Sequence, residues 1–206
     1  RHVVPVFGVA LSASILAESP HPAGELIVPS ATARALVEHL LGDGFDVAAC
    51  RDIGLDHAFA QPLRDLFGRT DAKPVIPVAV NCATAPLPTG RRVAEFGAAV
   101  GRFLDRLDQR ILVIGTGGLS HSPPSLEVDA YDISDEDRVR IIAEGMAEAR
   151  TRIRPDWDHE VLQAVSGWDV AALARLIDCA HERAGAGAGE IRTWVAAGAA
   201  GGGRPL

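Results

Sequence analysis

Four consecutive large aliphatic residues, Ile111-Leu112-Val113-Ile114, follow Arg110 and run straight into the glycines of Gly115-Thr116-Gly117-Gly118. An unbroken β-branched and leucine run of this length suits a strand covered on both faces by helices. The residues before it read as helix over 91–107, because Val93, Phe96, Val100, Phe103, Leu104 and Leu107 recur on one face and charged residues fill the other. Helix feeding strand is the repeating unit of α/β sandwiches. The chain is therefore read as α/β, a single domain over residues 1–206, with a largely parallel or mixed central sheet flanked by helices.

Other segments agree with that class. Leu36, Val37, Leu40 and Leu41 mark a helix opened by Ser30 after Pro29 and closed by Gly42 and Gly44. Residues 45–50 and 75–80 read as strands, and Pro77 confines the second to an edge or a bulge. The C-terminal third reads as helical over 134–153, 156–165, 170–182 and 190–200, with Ser134 and Asp137 as a weak capping pair. Ala184-Gly185-Ala186-Gly187-Ala188-Gly189 and Gly201-Gly202-Gly203 read as flexible punctuation.

Charge narrows the function classes. The 20 Lys and Arg against 27 Asp and Glu give a net charge of −7, which leaves no broad cationic face for a nucleic-acid backbone or an anionic membrane. No apolar run reaches the length of a membrane span, and the start Arg1-His2-Val3-Val4-Pro5 is not a secretory signal. A soluble, cytoplasmic protein with a small-molecule ligand is expected. Cys50, Cys82 and Cys179, an odd number without a CxxC pair, read as free structural thiols.

Ligands of open α/β sheets bind beyond the carboxyl ends of strands, so the segment after Ile114 draws attention. It reads Gly115-Thr116-Gly117-Gly118-Leu119-Ser120-His121-Ser122-Pro123-Pro124. Its glycines let backbone approach a ligand, and its prolines stiffen the exit behind His121. A dinucleotide fingerprint fails because Ser120 replaces its last glycine; a nucleophile elbow fails at Ser122 and at the two prolines; a P-loop lacks its lysine. A hydrolase using Ser120 with His57 or His121 is correspondingly disfavoured. His57, in Asp56-His57-Ala58-Phe59-Ala60-Gln61-Pro62-Leu63, is either a second catalytic histidine or a residue that opens a helix, and Arg64 close by is a remoter candidate for a carboxylated substrate. Glu190, in Gly189-Glu190-Ile191-Arg192-Thr193-Trp194-Val195-Ala196-Ala197, either complements a helix N-terminus or binds a metal. His2, His21, His39, His159 and His181 fall into no metal-ligand spacing and read as surface residues.

Those three segments, in their order and spacing along the chain, closely resemble the class III extradiol ring-cleavage dioxygenases, and Gly24-Glu25-Leu26 and Pro77-Val78 extend the likeness over most of the chain. The resemblance implies an oxidoreductase that binds non-haem Fe(II) and opens a catechol, with an acidic side chain, beside its hydroxyls using O2. It makes His57 the proton donor, His121 the acid/base that takes the catechol proton, and Glu190 the carboxylate of a 2-His-1-carboxylate triad. It puts the two histidine ligands upstream of Arg1, in an N-terminal part of the family that this sequence does not include; His2 is a remote substitute. It also implies a homo-oligomer. The competing expectation is a catalytically silent, metal-free relative that binds an aromatic ligand or a protein partner.

Overall fold

The computed structural model describes residues 5–17, 22–126 and 134–203, so His2 and His21 lie outside the described residues. The chain divides into two units, residues 1–81 with 99–112, and residues 82–98 with 113–206. The first runs β1 (Phe7–Ala10), β2 (Ala13–Ile15), β3 (Gly24–Glu25), α1 (Ser30–Gly42), β4 (Ala48–Cys50), β5 (Ile53–Leu55), α2 (His57–Phe67) and β6 (Val78–Val80). Residues 90–98 of α3 (Gly90–Leu104) belong to the second unit and its last turns to the first. The second unit continues with α4 (Asp135–Ala149), α5 (Pro155–Ser166), α6 (Val170–Asp178), α7 (Ala180–Ala184) and α8 (Ile191–Ala200). The class is mixed α/β with a helical C-terminal third, as expected. No helix among the described residues is long and apolar enough to cross a membrane.

The strands form two small sheets of mixed orientation. In one, β1 lies between parallel β4 and antiparallel β6; in the other, β2 lies between parallel β5 and antiparallel β3. The two sheets meet at a shared corner, where β1 turns into β2 and, beside it, β4 into β5. Asp52 turns that corner with φ 53°, a conformation that aspartate tolerates better than most residues. Ser12 locks it: its Oγ donates to Asp52 Oδ1 at 2.9 Å and accepts the Asp52 N–H at 2.8 Å. All four β1 residues are buried, and β6 is an edge strand whose preceding Pro77 accepts from Ala10 N at 2.9 Å through its carbonyl.

Helix α1 buries Leu36, Val37 and Leu40 of the expected stripe together with Ala33, whereas Leu41, the fourth expected member, is 51% exposed. Ser30 is not its cap; Pro29 holds that position, and the Ser30 hydroxyl donates instead to Leu11 O at 2.6 Å. His39 is no surface residue either. Its Nε2 donates to Ala99 O at 2.9 Å, its Nδ1 accepts from Arg106 at 2.8 Å, and its ring stacks on Phe103. An imidazole with both nitrogens satisfied is a structural part of the unit.

In the second unit α5 packs on α6 and α6 on α8, around Trp157, Val161, Leu173, Ile177, Ile191 and Val195. Glycines bring α3 onto this set at backbone distance: a Cβ on Gly97 would lie 2.2 Å from Ala196 O, and one on Gly90 2.5 Å from the Ala174 Cα. Any larger side chain there would force the helices apart.

Several elements differ from the sequence expectation. Residues 110–114 form no strand; Ile111, Leu112, Val113 and Ile114 are 41%, 65%, 36% and 38% exposed and pair with no strand among the described residues. An aliphatic pattern states a preference for burial, whereas a strand also requires a neighbour for its backbone groups. The strands expected over 45–50 and 75–80 shrink to their last three residues, because Phe45 N still donates to Leu40 O at 2.9 Å in closing α1, and two prolines precede β6. The helix expected over 170–182 breaks at Cys179. Neither glycine-rich stretch is flexible punctuation. Residues 186–190 are a 3-10 turn whose first four residues are buried, and Gly203 donates to Gly198 O at 2.9 Å beside the Trp168 indole.

Candidate functional site

His121 and Glu190 meet in the second unit, although 69 positions separate them in sequence. The imidazole Nε2 stands 3.7 Å from Glu190 Oε2, an ion-pair separation too long for a hydrogen bond. Each is about one-third exposed, at 35% and 33%. His121 Nδ1 is 2.8 Å from the Leu119 carbonyl, which can only accept, so Nδ1 carries a proton. In the neutral ring the lone pair is then on Nε2, the nitrogen turned toward the carboxylate.

Glycines make this approach possible. A Cβ on Gly187 would lie 2.3 Å from His121 Nε2, and one on Gly118 2.8 Å from its Cε1, so the ring is gripped between two backbones. Gly117, at φ 117°, leaves no room for a side chain beside Glu190, since its Cβ would lie 2.6 Å from the glutamate Cβ. Gly118 N donates to Glu190 Oε2 at 2.8 Å, and Gly187 N donates to His121 O at 3.0 Å. The two glycine-rich stretches therefore hold each other's functional side chain.

A second tier fixes the cradle. Ser120 N and Oγ donate to Asp158 Oδ1 and Oδ2 at 2.7 and 2.9 Å, and the hydroxyl accepts from Arg154 N at 2.8 Å. That commits Ser120, 7% exposed, to structure and removes it as a nucleophile: its proton goes to a carboxylate and not to an imidazole. The Thr193 hydroxyl shares its one proton between the Thr116 carbonyl and, at 3.0 Å, Glu190 O, tying α8 to the loop. Arg192, 4% exposed, donates to Pro88 O, Gly189 O and Ile177 O at 3.1, 3.1 and 3.4 Å. Burial pushes this guanidinium below its ordinary pKa and pushes the nearby Cys82 thiol up to about 12. Glu190 is the N-cap residue of α8 and makes no side-chain cap bond there; its carboxylate accepts from Gly118 N instead.

His57 stands in the first unit as the first residue of α2 and is exposed. Its neighbour Asp56 is the N-cap, with Oδ1 accepting Ala58 N at 3.0 Å. The helix-opening reading of His57 therefore holds, with Asp56 as the cap before it. Arg64, on the same helix, donates through Nη2 to Pro22 O at 2.6 Å. His159 accepts from Gln163, and His181 is exposed. The three cysteines form no disulfide among the described residues.

Among the described residues no group of three or more His, Cys, Asp or Glu side chains is placed to hold a metal ion. His121 and Glu190 make a pair, and a 2-His-1-carboxylate triad needs a third donor. Asp158, Arg192, Thr193 and Gly187 are the residues the sequence reading passed over. Two of them lie inside the quoted glutamate segment, where neighbourhood alone was a signal; Asp158 carries none.

Residues 6–205 match the family model described as the catalytic LigB subunit of aromatic ring-opening dioxygenase. Among curated proteins, the chain is 36% identical over 220 residues to a 2,3-dihydroxyphenylpropionate/2,3-dihydroxicinnamic acid 1,2-dioxygenase of Photorhabdus laumondii, covering 96% of this chain and 69% of that protein. It is 36% identical over 219 residues to a second protein of that name from Pseudomonas putida, covering 95% and 69%. A Mycobacterium sp. counterpart is 37% identical over 227 residues, covering 96% and 70%.

Proposed function

The chain belongs to the family of catalytic LigB subunits of aromatic ring-opening dioxygenases, and from that premise we propose that it opens the ring of a catechol bearing an acidic side chain, beside the two hydroxyls, with O2 and Fe(II). The observation that carries the proposal is the His121–Glu190 pair in its glycine cradle. An imidazole whose Nδ1–H is anchored to Leu119 O offers a lone pair at Nε2 in a fixed direction. Nε2 takes the proton of a substrate hydroxyl and later returns it to the oxygen that leaves, steps for which an imidazole is suited near neutral pH. His57 is proposed as the second proton donor.

Glu190 is proposed as a carboxylate donor to iron. The described residues do not complete a three-donor set around it, and the metal chemistry is not assigned to them. The proton steps are proposed for His121 and His57. The acidic side chain is inferred from the relatives, whose names specify phenylpropionate and cinnamic acid substrates.

The test is anaerobic loading of the protein with Fe(II), followed by 2,3-dihydroxyphenylpropionate and air. A yellow ring-fission product is expected. Replacing His121 with Ala should lower kcat by about 10²- to 10⁴-fold, the usual contribution of one positioned acid/base. Unaltered turnover in that variant would overturn the role of His121, and absence of product from the iron-loaded protein would overturn the activity.

A further inference from the structure

Behind the His121 loop lies a cavity of 180 Å³ whose lining includes Ser122, Arg152, Arg154, His181, Arg183 and Gly185. Three guanidiniums and an imidazole share that wall with one carboxylate, Glu182, in a chain of net charge −7. Like charges converge on one space at a cost unless an anion lies between them. Arg183 is held rigid by Glu160, which accepts from Nη1 and Nη2 at 3.0 and 2.7 Å, so its charge is largely answered outside the cavity. Among the described residues Arg154 is not answered. Its side chain donates to the carbonyls of Thr151 and Ile153 at 3.5 and 3.2 Å, and it has no carboxylate partner among the described residues.

The cavity also touches the catalytic loop. Ser122, 3% exposed, follows His121 directly, and a Cβ on Gly185 would lie 2.0 Å from Ser122 Oγ and 2.6 Å from His121 O. Arg154 joins the two regions, since its backbone N–H holds the Ser120 hydroxyl while its side chain lines the cavity. At roughly 30 Å³ per water molecule the space holds about six waters, ample for a carboxylate or a phosphate.

We infer that this cavity is a binding site for a small oxyanion, with Arg154 as its principal unneutralised ligand. Two sources supply that chemistry: the carboxylate of the acidic substrate, an assignment that rests on the proposed function, and a free anion such as phosphate, which does not.

The experiment has a binding arm and a kinetic arm. Inorganic phosphate is titrated calorimetrically at constant ionic strength into the wild-type protein, Arg154→Gln and, as a second variant, Arg152→Gln, with circular dichroism as the check on folding. Phosphate should bind the wild type and bind Arg154→Gln about tenfold more weakly, as expected for loss of a charge-assisted hydrogen bond. In the kinetic arm, KM is compared for 2,3-dihydroxyphenylpropionate and for unsubstituted catechol. If the substrate carboxylate is the occupant, Arg154→Gln raises KM about tenfold for the acid alone, and phosphate competes with it. If the occupant is a free anion, phosphate binds without competing and neither KM moves. Phosphate binding that is absent, or equal in the wild type and both variants, together with unchanged KM for both catechols, overturns the inference. Phosphate bound through Arg154 by a protein that cleaves no catechol would sink the dioxygenase proposal and leave the oxyanion site standing.

Discussion

Replacing Gly187 with Ala is the sharpest probe of the cradle. The new Cβ would lie 2.3 Å from His121 Nε2, 2.4 Å from Cε1 and 2.5 Å from Cδ2. Ordinary carbon contacts begin near ~3.5 Å, so the imidazole must retreat by about 1 Å. Little room exists for that retreat, because Nδ1 is tied to Leu119 O at 2.8 Å and Gly118 closes the other face of the ring. Gly187 lies outside the left-handed region, so alanine suits its backbone and the perturbation is steric. Overpacking of a buried site typically costs about 1–3 kcal/mol of stability, and a 1 Å misplacement of a catalytic group costs about 10²-fold in rate. The expected result is therefore a fall of about 10²-fold in kcat/KM for ring cleavage, with a fall of roughly 1–3 kcal/mol in urea unfolding. Gly42→Ala serves as the control: its Cβ meets nothing within 4 Å, so kcat/KM should be unchanged and stability should rise by about 0.4–1 kcal/mol rather than fall. Full activity in Gly187→Ala would refute the argument that this backbone sets the position of the imidazole.

Three further outcomes are expected. Asp158→Ala removes the acceptor of the Ser120 N–H and O–H and should lower unfolding stability by about 2–3 kcal/mol, whereas a serine-directed phosphonate should leave Ser120 unlabelled. Asp56→Ala should lose about 1 kcal/mol on urea unfolding through the missing cap, while Asp56→Asn, itself a good cap, should stay near the wild type. The Cys82 thiol, pushed from about 9 to about 12 by burial, holds its proton in the folded chain while the unfolded chain releases it. Its contribution is thus fully present below pH 9 and is lost progressively as pH rises toward 12; it amounts to at most about 4 kcal/mol, and a Cys82→Ala variant should lack that alkaline decline in chemical unfolding.

Helices were legible where apolar spacing was strong: the stripes of α1, α3, α5 and α6 each encode a buried face in the residues themselves. The strands were legible only in part: β4 and β6 fall inside the expected runs 45–50 and 75–80. β1, β2 and β5 are three or four residues long, too short to show a period, and β3 is shorter still. Ile111 to Ile114 had the composition of a strand and no pairing partner among the described residues, which is information held elsewhere in the chain. In the candidate site, the motifs surrounding His121 and Glu190 were visible as glycine-rich segments. Their meeting was not, because it depends on the 3-10 turn at 186–190, whose alternating glycine and alanine imitate a linker. Gly187 is glycine because an imidazole lies against it, and only a three-dimensional contact reveals that reason.

Ile111 to Ile114 have one more consequence. Four bare aliphatic side chains in a row, with backbone amides that no described strand engages, are an invitation to the same stretch of another molecule. Concentrated solutions of this chain should grow turbid on standing, and a lysine at Leu112, the most uncovered of the four at 65%, should keep them clear.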